Sequence, residues 1–317
     1  MSVTLTNSVD ITSTSATELQ EFATNVADVA PEIAAKTPEQ LKADYRVLQV
    51  DMAKVRTQVS PGIPCTDADG YTNKQDVLVA PRGVMNIRYE LDEDQKMDPN
   101  YNPNLATNRC NINVVWDEAD TGNENDDPDA GISSTRPYEL KYASDCFARK
   151  KHYEKFGDTS LYASWNDGCY GDYVVKYDGN ESWNYYTVKN MSSCKNYKSN
   201  RLTSCGHGIK PYYPTSYGSR QWDDFAPTSD STGDCRSQSI SVSAGPISIS
   251  GDYTQCETQK IYKYAEDGKM SSYWKGMRDG TRSTQHQVSV KYPQIAGRPH
   301  WSHWLNSDAC IACIGIK

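Results

Sequence analysis

Large aliphatic and phenyl side chains are scarce in most of this chain. Leu, Ile, Val and Phe together supply 34 of residues 61–317 (13%), against 15 of residues 1–60 (25%). A segment that poor in apolar groups falls in the range where disorder is suspected, so an ordinary aliphatic core cannot be what holds residues 61–317 together. No stretch approaches the ~20 apolar residues of a membrane-spanning helix, and no membrane span is expected. The GxSxG and HExxH signatures and a glycine-rich phosphate loop are all missing, which closes the motif routes to an α/β-hydrolase, a zincin and a nucleotide site. The first residues, Met1-Ser-Val-Thr-Leu-Thr-Asn7, lack the basic segment and apolar stretch of a secretory leader. Cysteine is absent from the first 64 residues.

Beyond that boundary come ten cysteines, Cys65, Cys110, Cys146, Cys169, Cys194, Cys205, Cys235, Cys256, Cys310 and Cys313, with all seven tryptophans and all but one of the 22 tyrosines. An even set spread through a polar chain reads as up to five disulfides formed in an oxidising compartment, with the connectivity open. A cysteine-ligated zinc is disfavoured, because Cys310-Ile-Ala-Cys313 is the one CxxC spacing and a second is missing. The expected location is extracellular, on a cell surface or on a virion surface. The absence of a visible leader stands against that inference. A net charge of −8 disfavours nucleic acid and anionic membranes as partners.

Three segments are expected. Residues 1–16 form a Ser/Thr-rich arm. Residues 17–60 form a helical hairpin that packs on the rest, drives assembly or serves as a pro-segment. Its first stripe is Leu19, Phe22, Val26, Val29 and Ile33, and its second, opened by the capping box Thr37-Pro38-Glu39-Gln40, is Leu41, Tyr45, Leu48, Met52 and Val55. Residues 61–317 turn to period two, as in Met85-Ile87-Tyr89-Leu91, Cys110-Ile112-Val114-Trp116 and Gln287–Tyr292. Residues 173–188 read as a hairpin about Asp178-Gly179-Asn180, and the serine-flanked strands 239–250 suit lateral pairing between subunits. A weak helical signal covers Tyr138–Phe156. The fold class is α+β, predominantly antiparallel β, sandwich-like and disulfide-stapled, with an N-terminal helical hairpin.

Candidate chemistry is sparse. Asp67-Ala-Asp69-Gly70-Tyr-Thr-Asn73-Lys-Gln-Asp76 places oxygen ligands about a turn glycine, as a calcium loop requires. Over these ten residues it resembles the loops of extracellular calcium repeats, although Leu78 stands where an EF-hand has its bidentate Glu. Calcium is the one cofactor considered, the acidic stretch Asp117–Asp129 being a second place for it. The bland alternative in both cases is a solvated loop. His300, His303 and His207 are weighed as zinc ligands against a Trp/His surface patch. Trp183, Tyr185 and Trp222 could form a carbohydrate platform, with Glu181, Asp223 and Asp224 as glycosidase carboxylates, while the bland reading makes the aromatics core substitutes. Asn180 and Asn190 lie in glycosylation sequons. No catalytic residue is assigned, and the balance leans away from an enzyme. The leading expectation is a non-enzymatic extracellular or particle-surface protein, a structural subunit or adhesion module that partners itself. The alternatives are a secreted carbohydrate-binding protein or glycoside hydrolase with an N-terminal pro-segment, and a secreted toxin or inhibitor.

Overall fold

A computed structural model describes residues 2–5, 9–10, 15–59, 71–84, 86–92, 112–118, 136–155, 159–197, 200–212, 221–228, 230, 236–255, 259–264, 269–278, 281–293 and 298–310. Two antiparallel sheets face each other. The first takes, in spatial order, β1 (Ser2–Thr4), β5 (Ile87–Leu91), β6 (Ile112–Asp117), β17 (Trp301–Cys310), β10 (Arg201–Pro211), β15 (Lys269–Arg278) and β14 (Gln259–Tyr264). The second takes β11 (Gln221–Ala226), β16 (Arg282–Pro293), β9 (Trp183–Asn196), β8 (Thr159–Lys176), β7 (Tyr138–Lys155), β4 (Tyr71–Pro81), β3 (Tyr45–Asp51) and β2 (Val9–Asp10). A separate two-stranded hairpin consists of β12 (Arg236–Ala244) and β13 (Ile247–Gln255). The sandwich-like, mainly antiparallel architecture read from the period-two segments is thus the one adopted.

The first three helices form a third layer on the outer face of the eight-stranded sheet. Leu19, Phe22 and Val26, along and just past α1 (Ser15–Asn25), pack with Ile33 of α2 (Pro31–Ala34) and Leu41 of α3 (Pro38–Asp44) onto Val47, Val77, Val79, Ala148 and Trp165. Thr37 caps α3 as its sequence predicts: its Oγ1 accepts from the Gln40 backbone N–H at 3.3 Å while Gln40 Oε1 accepts from the Thr37 N–H at 2.8 Å. Val29 is 39% exposed and drops out of the first stripe, which resumes at buried Ile33.

The expected second helix is interrupted. Residues 45–51 form β3, paired with β4 in register Val47 to Val79, and helix resumes only at α4 (Met52–Val59). The spacing Tyr45, Leu48, Met52 fits a helical stripe, yet the same residues also alternate. Tyr45 and Val47 face the helical layer, and Leu48 and Val50 face the sheet interface. Four buried apolar residues in six satisfy two cores only as a strand. The helical signal at Tyr138–Phe156 is likewise overturned, because Tyr138–Lys155 is β7, laddered to β8 along its length. Local preference for Lys, Glu and Ala yields there to a full set of cross-strand bonds.

The core runs across residue 60. Leu48, Val50, Met52, Val55 and Val59 share one cluster with Leu78, Tyr89, Val114, Trp116, Phe147 and Leu305. Arg149, 1% exposed, crosses this layer, donating from Nε to Asp76 Oδ2 at 2.6 Å and from Nη1 to the Ile112 carbonyl at 2.8 Å. Two disulfides add covalent ties: Cys146–Cys169 joins β7 to β8, and Cys194–Cys205 joins one sheet to the other. Closing the 11-residue separation of the second contributes about 3 kcal/mol in the chain-entropy account. The remaining six cysteines have side chains outside the described residues.

Residues 1–59 therefore complete the sandwich. A chain starting at residue 60 is expected to lose cooperative unfolding and near-ultraviolet circular dichroism; a soluble 60–317 fragment with a sharp melting transition would contradict this.

Candidate functional site

The outer face of the eight-stranded sheet is covered by helices at one end and by the β12–β13 hairpin at the other. The hairpin's strands are nine residues each, joined through Gly245-Pro246, with Gly245 at φ 58°. A two-residue hairpin loop needs that positive φ, which glycine adopts at no steric cost. Cross-strand register divides the side chains cleanly. Val242 opposes Ile249 and Ala244 opposes Ile247 on one face, while Ser243 opposes Ser248 and Ser241 opposes Ser250 on the other. Val242, Ala244 and Ile249 are buried against Val175 and Ala226, with Tyr185 at the edge. The serine face is exposed, Ser241 and Ser248 hydroxyls lying 2.6 Å apart on it.

No backbone ladder joins this hairpin to either large sheet among the described residues. Side chains hold it instead. Asp224 Oδ2 accepts the Ser243 N–H at 2.7 Å and Asp223 Oδ2 the Gly245 N–H at 3.0 Å, while Gln287 Nε2 donates to the Ile249 carbonyl at 3.1 Å. Charge-assisted bonds of the kind made by the two aspartates contribute about 1.5–3 kcal/mol each when shielded and less at exposed positions like these.

Beneath it, the inner faces of the two sheets meet through polar groups. From Ser164 onward the even-numbered residues of β8 point at the opposite sheet. Ser164 Oγ lies 3.2 Å from Ser307 Oγ, Asn166 Nδ2 donates to the Asn306 carbonyl at 2.9 Å, and Tyr170 stacks on His303 at 4.3 Å. Gly168 leaves the room that Leu305 fills, since a Cβ there would sit 2.4 Å from Leu305 Cδ2.

Three fully buried histidines lie in this seam. His207 of β10 stacks on His286 of β16 at 4.4 Å, and its Nδ1 lies 2.9 Å from Thr284 Oγ1. His303 of β17 reaches Glu118 Oε1 from Nε2 at 2.6 Å and the Asn190 amide from Nδ1 at 3.0 Å. That amide also lies 3.4 Å from His286 Nε2, so Asn190 links two rings. Burial lowers His207 to about 3, assisted by His303, and His303 to about 4 against the opposing charges of Asp172 and Asp117. Burial, then the neighbouring imidazoles, holds His286 well below the usual range. Asp172, sealed beside Glu118, is pushed well above the carboxylate range by burial and then by that neighbour's charge.

The residues singled out from sequence scatter. Asp76 is buried, its oxygens taken by Arg149, Tyr89 Oη at 2.8 Å and Asn73 Nδ2 at 3.1 Å, so it faces a guanidinium rather than a cation loop. Asp67 and Asp69 lie outside the described residues, as do residues 119–129 of the second acidic stretch. Register splits the expected aromatic platform. Trp183 and Tyr185 share the hairpin side, whereas Trp222, opposite Val290 and hence beside Tyr186, packs on the inner apolar cluster. Asn180 organises its turn, its Oδ1 accepting from the N–H groups of Ser182 and Trp183 at 2.9 and 3.1 Å. Asn190 is 5% exposed between the sheets, where the folded protein has no room for a glycan. Asp223 and Asp224 clasp the hairpin instead of flanking a sugar. His207 and His303 do approach each other, but with His286 and Asn190, which sequence reasoning missed; among the described residues no group is arranged to hold a metal ion. The available signal was alternation, since His286, Val288 and Val290 share one face of β16.

No family model matches the chain, and no curated protein matches it. Among solved structures, Clostridium perfringens delta-toxin is similar over 51% of this chain and 85% of its own, with 7% identity and a TM-score of 0.32. A likeness at that level carries no functional argument.

The three imidazoles make stability depend on acid. Their folded-state pKa values lie below the ordinary 6.5, about 3 for His207 and about 4 for His303, so the unfolded chain binds more protons as pH falls through 6.5, and stability present above 6.5 is lost as pH falls. Asp145, raised to about 6, and Asp172 act the opposite way, their stabilisation fading as pH rises above the usual carboxylate value. Replacing His286 with Gln removes one of these imidazoles: the stability advantage of wild type over the variant in urea unfolding is expected to fall between pH 7 and pH 5. Equal pH profiles for the two proteins would contradict this reading.

Proposed function

We propose that the protein acts without catalysis, as a self-assembling exported protein whose β12–β13 hairpin leaves the sandwich and enters a lipid bilayer as part of a β-barrel. The observation that carries this is the hairpin's division into a hydroxyl face and an aliphatic face. Transmembrane barrel strands alternate lipid-facing apolar and lumen-facing polar residues over about 9–11 residues. The two strands here are nine residues each; in their register the positions of the aliphatic face are Ile240, Val242, Ala244, Ile247 and Ile249, and the outer ends of that face are the positions of Gln238, Tyr253, Arg236 and Gln255. At the usual rise that is roughly 30 Å of strand, or about 21 Å of depth at a 45° tilt.

The way the hairpin is stored supports the reading. Its aliphatic face is covered by the sheet and kept from water, and its serine face is exposed. It shares no ladder with its host among the described residues, so leaving costs side-chain contacts and a few hydrogen bonds rather than a sheet edge. A single hairpin cannot close a barrel, and its outer backbone groups demand partners in lipid, so insertion requires several copies. Self-association and toxin-like action, two separate expectations from sequence, then become one activity. The two disulfides are compatible with an extracellular setting. No helix among the described residues is long and apolar enough to cross a membrane.

The experiment is single-channel recording in planar bilayers made from a mixed eukaryotic lipid extract. Wild-type protein is expected to give discrete conductances. The Ser241→Lys variant, whose substitution is exposed in the soluble fold and lumen-facing in the barrel, should shift selectivity toward anions with folding unchanged. Absence of conductance from the wild type, or a selectivity indifferent to the Ser241→Lys substitution, would refute the proposal.

A further inference from the structure

On the far side of the molecule, the outer face of the seven-stranded sheet holds a cavity of about 360 Å³ lined by Ser2, Glu90, Asn113, Val115, Lys210 and Trp304, with Leu91 and Lys269 at its edge. The register explains the assembly. Glu90 opposes both Ser2 and Asn113, Val115 opposes Trp304, and Trp304 opposes Gly208, so these residues of five strands point the same way. Gly208 makes the floor possible. A Cβ there would fall 1.9 Å from Trp304 Cζ2, so the indole lies flat across the bare backbone of β10.

Two buried polar atoms on residues that line this cavity have no partner among the described residues. Trp304 is 3% exposed with Nε1–H unsatisfied, and Asn113 is 7% exposed with Oδ1 unsatisfied. Leaving one such buried group unpaired costs about 1–3 kcal/mol, so two in one cavity are an expense the fold does not need for its own sake. One is a neutral donor and the other a neutral acceptor. The charges around them are already matched: Glu90 accepts from Lys210 Nζ at 2.6 Å and from Arg88 Nε at 2.8 Å, and Arg88 also pairs with Asp117. Lys269 Nζ rests 5.5 Å from the centre of the Trp304 ring. A site built for an anion would aim cations without counter-ions into the cavity, whereas Lys210 here is held by Glu90 and Lys269 lies over the indole, beside a neutral donor and a neutral acceptor.

We propose that this cavity binds a neutral sugar residue, with one hydroxyl donating to Asn113 Oδ1 and another accepting from Trp304 Nε1–H. Its volume suits one hexose-sized ring with water, and hydroxyls, which both donate and accept, suit the mixed lining. The location differs from the Trp183, Tyr185 and Trp222 platform expected from sequence. The proposal uses no part of the hairpin, so its fate and that of the membrane reading are independent.

The test is an array of neutral and acidic glycans probed with labelled full-length protein, followed by calorimetric titration with the methyl glycoside of the preferred terminal sugar. Glycolipid vesicles and glycosylated proteins bearing that sugar serve as competitors and identify which source presents it. Saturable binding to a neutral hexose or N-acetylhexosamine is expected. Trp304→Phe and Asn113→Leu should each weaken it by roughly tenfold or more, the loss of one buried hydrogen bond. Because each change removes an unpaired buried group, the melting temperature should stay the same or rise, which separates lost recognition from lost folding. Binding of acidic glycans alone, no saturable binding of any sugar at millimolar concentration, or affinity untouched by both substitutions would each overturn the proposal.

Discussion

Two large sheets with few aliphatic side chains between them must be joined by something else, and polar pairing in a buried seam is what this chain uses. Apolar clusters occupy the ends of the interface, around Trp116 and Leu305 on one side and Ile209, Met270 and Trp301 on the other. Between them run Ser164, Asn166, Asn190, His207, His286, His303, Asp172 and Glu118, all buried. Hydrogen bonds in such a place are strong when complete and expensive when broken, so the seam fixes how the sheets sit but has little reserve. Neutral imidazoles are part of that balance. Charging both rings of the His207–His286 stack would place two cations 4.4 Å apart, a repulsion of about 4 kcal/mol at an effective dielectric of 20.

The same shortage shapes the outer surfaces. Helices seal one half of the eight-stranded sheet with the aliphatics concentrated before residue 60, which is why the change in composition there coincides with no break in the core. The other half is sealed by a hairpin that brings its own aliphatic face and is held by Asp223, Asp224 and Gln287. One stack of layers thus contains a part tied by Arg149–Asp76 and two disulfides, and a part that, among the described residues, is attached through side chains. That contrast underlies the second location proposed for the hairpin.

Much of the fold is legible in the sequence because alternation is a local signal. Ile87-Tyr89-Leu91, residues 173–188, 239–250 and 287–292 all contain strands in the expected phase. Residues 45–51 mislead because Tyr45, Leu48 and Met52 satisfy both periods, and only the presence of a core on each side decides between them. Tyr138–Lys155 misleads because its local preference is helical and its ladder partner lies twenty residues away or more through most of its length. The candidate site is less legible. Asp223 and Asp224 stand out as a pair of acids, yet their role depends on the amides of Ser243 and Gly245, which folding brings near. Trp183, Tyr185 and Trp222 group by residue type, and register divides them. His286 and Asp172 carry no motif at all, and their chemistry exists only where two sheets meet.

Hydrogen exchange with mass spectrometry, run in solution and then on liposomes, tests the central claim most directly. The account predicts that amides of residues 241–250 exchange faster in solution than those of β8, β9 and β16, and that on liposomes they become the most strongly protected part of the protein. Protection of 241–250 equal to that of β9 in solution, and unchanged by lipid, would contradict it.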